Sequence, residues 1–292
     1  MKLGTRGSQL ATWQAEWVRD RLAAQGLRAE IVIIKTRGDA EVDRPLHELE
    51  GKGFFTKEIE EALLDGRIDV AVHSLKDLPT TLPAGLALGA IPARHDPREA
   101  LVHVRSLSDL PAGARVGTSS LRRIAQVRFL RPDLEVVPLR GNVPTRVRKV
   151  ETHDGLDAAL LAIAGLERLG LGGKGAVIDP FDVMPAPGQG ALGIEIRDND
   201  KATRKALQPL HDAASAAAVS AERPLLAALG GGCQAPVAAW VEGTRLYGRV
   251  TERDGASQLT ASADLDPKRP EAAGEAVARL LEGEGAASLL AR

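Results

Sequence analysis

Apolar and polar positions along the first ninety residues alternate between two periods. Residues 1 to 5 suit a short strand, and from Gln9 to Gln25 apolar Leu10, Trp13, Trp17 and Leu22 recur at helical spacing, with Gly26 as the stop. IVII at 31–34 is a continuous apolar run, as expected of a strand buried on both faces. FFTKEIEEALLDG at 54–66 reads as a second amphipathic helix and IDVAVHS at 68–74 as a second buried strand. This β-α-β-α-β order predicts a parallel sheet covered by helices.

The pattern then restarts. ARVGTSS at 114–120 is strand into turn, LRRIAQVRFL at 121–130 helical, LEVVPL at 134–139 a strand, and DAALLAIAGLERLG at 157–170 a short strand running into a helix. GLGGKG at 170–175 follows a helix and reads as a loop. PARHDPRE at 92–99 and MPAPGQG at 184–190 lie between the two units, and ALGIEIR at 191–197 is expected to return to the first sheet. The chain turns alanine-rich after Ala213 and ends in a helical RPEAAGEAVARLLEG at 269–283. Three α/β domains are therefore expected: 1–91 with 191–208, then 96–184, then a small 213–292, with hinges at 92–95 and 185–190.

Composition narrows the class. The chain has 292 residues, 44% apolar and 26% charged, an ordinary globular balance. A net charge of −1 and only 3% aromatics give no reason to expect nucleic acid or an anionic membrane as partner. The segment MKLGTRGSQLATWQ contains no apolar run of signal-peptide length, and no stretch approaches a membrane span, so a cytoplasmic location is expected. Histidines are scattered, CxxC and HxxxH are missing, and neither GxGxxG nor GxxxxGK[ST] occurs, so neither a metal nor a nucleotide cofactor is expected.

In open parallel sheets, ligands bind beyond the carboxyl ends of strands. Four polar clusters fall there: TRGS at 5–8, HSLKDLP at 73–79, GTSSLRR at 117–123 and LRGNVPTR at 139–146. A lone arginine near a loop is ordinarily a solvated charge. Arg6, Arg122, Arg123, Arg140 and Arg146 together form a set of guanidinium forks suited to carboxylates. Lys52 and Lys57 are further candidates, although Lys57 is also placed for an i,i+4 pair with Glu61. Ser8 and Ser119 also suit helix caps. Asp77 follows a buried strand and is suited to general acid–base work, to holding a cation, or simply to capping a turn. His73 reads equally as a base or as a hydrogen-bonded structural residue.

GGGCQAP at 230–236 holds the only cysteine. One thiol makes no internal disulfide, which favours a reducing compartment. Its neighbours supply no base to form a thiolate, and triple glycine packs poorly in a core. A reactive or carrier thiol is what remains.

Together these motifs resemble the hydroxymethylbilane synthase (porphobilinogen deaminase) family over nearly the whole chain. TRGSQLATWQ, GKGFFTKEIE, VHSLKDLPT, GTSSLRRIAQ, LRGNVPTR, APGQGALGIE and ERPLLAALGGGCQAP occur in the family's order. The resemblance implies two lobes like those of a type II periplasmic binding protein, with mainly parallel sheets and the site in the cleft, and a small third domain carrying the cysteine. It implies one covalent dipyrromethane per chain, joined to Cys233 by a thioether. Four porphobilinogen molecules are then joined head to tail with loss of ammonia, and water releases linear hydroxymethylbilane for haem, chlorophyll and corrin synthesis. By match, Asp77 is the catalytic aspartate. Lys76, Asp77, Thr118, Ser119, Ser120, Arg122, Arg123 and Arg146 are cofactor contacts, and Arg6, Ser8, Lys52, Lys57, Arg140 and Gln189 substrate contacts. A monomer that passes its product to uroporphyrinogen III synthase is the family expectation. Two other readings share some of these features. A two-lobed binding protein for an anionic metabolite has no use for Cys233, and a regulatory effector-binding module would normally carry a DNA-binding helix-turn-helix, for which no basic segment stands out here.

Overall fold

A computed structural model describes residues 1–36, 56–230 and 235–291. The first elements are β1 (Lys2–Thr5), α1 (Gln9–Ala23), β2 (Glu30–Ile33), α2 (Lys57–Leu64), β3 (Val70–Ser74) and β4 (Leu86–Ala90). Next come β5 (Glu99–Val102), β6 (Arg115–Gly117), α3 (Leu121–Leu130), β7 (Glu135–Val137), α4 (Val143–Glu151), β8 (Ala158–Ala162), α5 (Ile163–Arg168) and β9 (Gly175–Val177). The chain continues through β10 (Leu192–Arg197), α6 (Lys201–Leu207), α7 (Ala213–Ala228), β11 (Val237–Glu242), β12 (Arg245–Thr251), β13 (Gln258–Asp264), α8 (Pro270–Gly283) and α9 (Ala286–Ala291).

These elements form two compact units, Met1–His95 with Ala191–Ala216 and Asp96–Gly190 with Ala217–Arg292. The first holds a five-stranded sheet in the order β2-β1-β3-β10-β4. β1 runs parallel to β2 and β3, while β10 runs antiparallel to β3 and β4. The second unit holds a sheet of the same design, β7-β6-β8-β5-β9, in which β5 is the antiparallel strand. In each sheet the antiparallel strand is the one the chain forms just after entering that unit. Its first residues therefore lie at the carboxyl ends of the parallel strands: Leu192 pairs with Ser74, and Glu99 pairs with Ala162.

The cores follow from the apolar pattern. Leu3, Val18, Leu22, Val70, Val72, Ile194 and Leu207 close one face of the first sheet, and Ile59, Leu63, Ile68 and Ala71 the other. In the second unit Val102, Val147, Ala159 and Leu166 form one cluster and Leu101, Val116, Val127 and Leu160 another. The segment expected as a third domain, 213–292, falls mainly in the second unit. There β11-β12-β13 is an antiparallel sheet packed on α8 around Leu225, Leu246, Val250 and Val277.

One expectation is corrected. The run at 31–34 is not buried on both faces, because β2 is an edge strand and Ile33 is 49% exposed. β4, β5 and β9 were not anticipated at all. The expected hinge residues 185–190 are buried except for Ala186. They are tied within the second unit: Ala239 N donates to Pro185 O at 3.1 Å, and Gly188 N to Glu222 Oε2 at 2.8 Å.

Candidate active site

In the first unit β1 and β3 end at the same sheet edge, which gathers Arg6 and Ser8 with Lys76 and Asp77. Ser8 caps α1, its hydroxyl accepting from Ala11 N at 3.2 Å. β3 passes into a single turn of 3₁₀ helix, Leu75–Asp77, whose Leu75 N donates to Ala191 O at 3.0 Å. Buried Gln14 on α1 donates through Nε2 to Ser74 Oγ at 2.8 Å, fixing the residue that leads into that turn. Asp77 itself is half-buried, and its carboxylate makes no hydrogen bond or ion pair among the described residues. Lys57 is exposed and lies 3.9 Å from Glu61, its i,i+4 partner. Lys52 and Cys233 lie outside the described residues.

Beneath this edge is a buried polar cluster. His73 Nε2 sits 3.1 Å from Glu195 Oε2, with the side chains 4% and 0% exposed, so His73 takes the structural role. Glu60, reaching in from α2, has its carboxyl pushed above the usual range by burial, an effect reinforced by Glu195 and opposed by Thr56 and His73.

In the second unit Thr118, Ser119 and Ser120 follow β6 into α3. Ser119 does not cap the helix: its hydroxyl donates to Leu139 O at 3.0 Å and accepts from Leu139 N at 3.1 Å. It thereby holds the start of LRGNVPTR beside GTSS. Thr118 is buried and its hydroxyl accepts from Ser120 N at 3.3 Å. Asn142 caps α4 by accepting from Thr145 N at 3.0 Å, with Pro144 in the first turn, where no amide proton is needed. Arg140 and Arg146 are half-buried at this edge, and Arg146 Nε donates to Gly141 O at 2.7 Å.

Arg122 and Arg123 sit differently from Arg6, Arg140 and Arg146, which are half-buried. Both are buried, at 5% and 6% exposure, and both bond to Glu99, which is fully buried. Arg122 Nη2 meets Glu99 Oε1 at 2.6 Å and Arg123 Nη2 meets Oε2 at 2.7 Å. Burial lowers the Arg122 pKa from its usual value against the pull of Glu99. Gln189 is also fully buried and donates to Pro97 O at 2.7 Å. Nearby Arg168 donates to Gly190 O at 2.7 Å, and burial brings its pKa down to about 10. Sequence reasoning missed Gln14, Glu99 and Glu222. Glu99 alone left a signal, as an acid opening the apolar run EALVHV.

Among the described residues no helix is long and apolar enough to cross a membrane, and no group of three or more His, Cys, Asp or Glu is arranged to hold a metal ion. The edges instead concentrate cations, hydroxyls and one unpaired carboxylate. Arg123 Nε is buried without an acceptor among the described residues. That unmet donor fits a carboxylate, such as an acetate or propionate arm of a dipyrromethane.

The family model described as "Porphobilinogen deaminase, dipyromethane cofactor binding domain" matches residues 1–205, and the "Porphobilinogen deaminase, C-terminal domain" model matches 216–283. A porphobilinogen deaminase of Syntrophotalea carbinolica is 50% identical, with 100% of this chain and 95% of the relative covered. That of Moorella thermoacetica is 50% identical, covering 99% and 95%, and that of Syntrophobacter fumaroxidans 47%, covering 99% and 96%. Among solved structures, the methionine-binding protein MetQ is 15% identical, covers 71% of this chain and 88% of its own, and has a TM-score of 0.45. Matched by the two models over 1–205 and 216–283 and by relatives at about 50% identity along its length, the chain belongs to the porphobilinogen deaminase family.

Proposed function

We propose that Asp77 is the catalytic carboxylate of this porphobilinogen-polymerising transferase and that the arginines at the two sheet edges hold the carboxylates of the growing chain. The observation that carries this reading is the state of Asp77. Glu99, Glu195 and Glu222 are buried and bond to partners inside the protein, whereas the half-buried Asp77 carboxylate has no hydrogen-bond or ion-pair partner among the described residues.

The chemistry asks for such a group. Loss of ammonia from porphobilinogen leaves positive charge shared between the methylene carbon and the pyrrole nitrogen. A fixed carboxylate accepts the pyrrole N–H hydrogen bond, and its attraction to the cation grows as the charge develops. The same oxygen then takes the proton that the attacked ring position must lose. The two strand-end bonds, Gln14 to Ser74 and Leu75 N to Ala191 O, hold the turn in place, so the carboxylate needs little reorganisation.

A dipyrromethane bound through Cys233 supplies the free pyrrole carbon to which the first porphobilinogen is joined. Lys76, Thr118, Ser119, Ser120, Arg122, Arg123 and Arg146 would hold it. Arg6, Ser8, Lys52, Lys57, Arg140 and Gln189 are assigned to the substrate. Among the last set, Gln189 acts through the backbone it holds, since its amide is committed to Pro97. Each added ring brings an acetate and a propionate, which calls for a row of cations rather than one. A cytoplasmic monomer that hands its product to uroporphyrinogen III synthase completes the proposal.

Intact mass spectrometry tests it. The purified chain should exceed its sequence mass by one dipyrromethane, and Cys233→Ser should lack the excess. A wild-type chain at bare sequence mass that makes no tetrapyrrole after incubation with porphobilinogen would sink the reading.

A further inference from the structure

We propose that Glu99 is a positioning residue for the reaction: it gathers Arg122 and Arg123 into one carboxylate-binding unit at the edge of the second sheet. The inference rests on the reading of that edge as a carboxylate site.

Neighbouring residues on a helix point about 100° apart, so Arg122 and Arg123 would diverge if left to α3 alone. Glu99 prevents this by giving one carboxylate oxygen to each. It can do so because β5 enters the sheet antiparallel, which puts the first residue of the strand level with Ala162 at the carboxyl end of β8. Backbone carbonyls complete the cradle: Arg122 Nη1 donates to Met184 O, and Arg123 Nη1 to Leu160 O at 3.0 Å. Gln126, one turn along α3, also donates to Met184 O at 3.1 Å and accepts from Met184 N at 2.8 Å, so the loop that receives Arg122 is itself fixed.

The arrangement is unbalanced in a way that suits a ligand. Two guanidinium cations share one carboxylate, and all three side chains are more than nine-tenths buried. A buried cation without its counter-charge is costly, and an anion relieves it. Arg123 Nε adds a buried N–H with no acceptor among the described residues. Bulk water solvates neither well, whereas a carboxylate from a pyrrole side arm answers both. Glu99 thus leaves a net charge of one on the pair rather than two, which keeps the pair foldable yet still short of an anion.

Glu99→Gln and Glu99→Asp in the full-length protein test this. The amide offers one acceptor oxygen and turns an NH₂ toward the second guanidinium. The aspartate keeps the charge but withdraws it by one methylene. Three quantities are read on each: the fraction of chains carrying the dipyrromethane mass, KM against kcat per primer-bearing chain, and the thermal midpoint. In Glu99→Gln, the primer-bearing fraction should fall or KM for porphobilinogen rise by about tenfold, with kcat per loaded chain changed less. Glu99→Asp should recover most of the loss. Normal loading and normal KM in folded Glu99→Gln would overturn the proposal. So would a fall in kcat alone, or failure of both variants to fold, which would assign Glu99 to the scaffold. A wild-type chain that makes no tetrapyrrole would count instead against the family activity.

Discussion

Glu222→Gln asks how firmly the segment 185–190 is held. Glu222 is fully buried on α7, with Oε2 accepting from Gly188 N at 2.8 Å and Oε1 from Val241 N at 3.1 Å. One carboxylate therefore joins the MPAPGQG segment to β11. Glutamine preserves the volume and one acceptor but turns an NH₂ toward the second backbone N–H. One charge-assisted bond is lost, worth about 1.5–3 kcal/mol, and one buried N–H is left unpaired, at about 1–3 kcal/mol. These overlap, because the unpaired N–H is the partner of the lost bond, so the expected net loss is about 2–4 kcal/mol. Near the melting point each kcal/mol moves a unit of this size by about 2–4 °C, which predicts a midpoint roughly 4–16 °C lower. Glu222→Ala removes both acceptors and opens a void, and should fall further. Thermal melts followed by far-UV circular dichroism at pH 7 give the answer. A Glu222→Gln midpoint within about one degree of wild type would refute the idea that this carboxylate clamps the segment.

Asp77→Ala should melt with wild type, having no bond to lose, while turnover drops by at least about a hundredfold; near-normal turnover would remove Asp77 from the chemistry. Glu60→Gln should be more stable than wild type at neutral pH. Burial raises the folded pKa of Glu60 above its ordinary 4.5, so its stability contribution is fully present below that value and lost as pH rises through the folded one. The amide mimics the protonated form, so the two melting curves should converge under acid and separate above it; equal midpoints at pH 8 would count against the buried cluster. Gly274→Ala should destabilise the second unit by about 1–3 kcal/mol despite the better helix propensity of alanine. Its Cβ would land on the Ala221 carbonyl oxygen and lie 3.1 Å from Leu225 N, both backbone atoms that cannot turn aside. An unchanged urea midpoint would show that α7 and α8 can separate at no cost.

Much of the fold is legible from periodicity. The helix expected at 121–130 is Leu121–Leu130, and the strand expected at 191–197 is Leu192–Arg197 in the first sheet. These segments have strong patterns and clear stops. IVII misleads because four apolar residues in a row do not say how many neighbours a strand has, and β2 turned out to have one. β5 and β9, of four and three residues, are too short to show any period and exist through pairing with each other and with β8. Ser119 and His73 show the same limit at the site. A serine at a helix start suits a cap, yet its partner is Leu139, and the partner of His73 is 122 residues away.

Taken alone, the sequence determined the strand–helix alternation, the polar clusters at strand ends and the lone thiol on its glycine run. All of these are local properties, set by a side-chain period of two or 3.6 and by residues that stop it. Only the tertiary structure decided which charged side chains meet one another. Arg122 and Arg123 resemble Arg6, Arg140 and Arg146 in sequence, but an antiparallel β5 brings Glu99 between them. Asp77 resembles any turn aspartate, but no cation among the described residues comes to meet it. Coulomb and hydrogen-bond partners are chosen by distance in space, and a chain that crosses between its units sets that distance through pairings tens of residues apart.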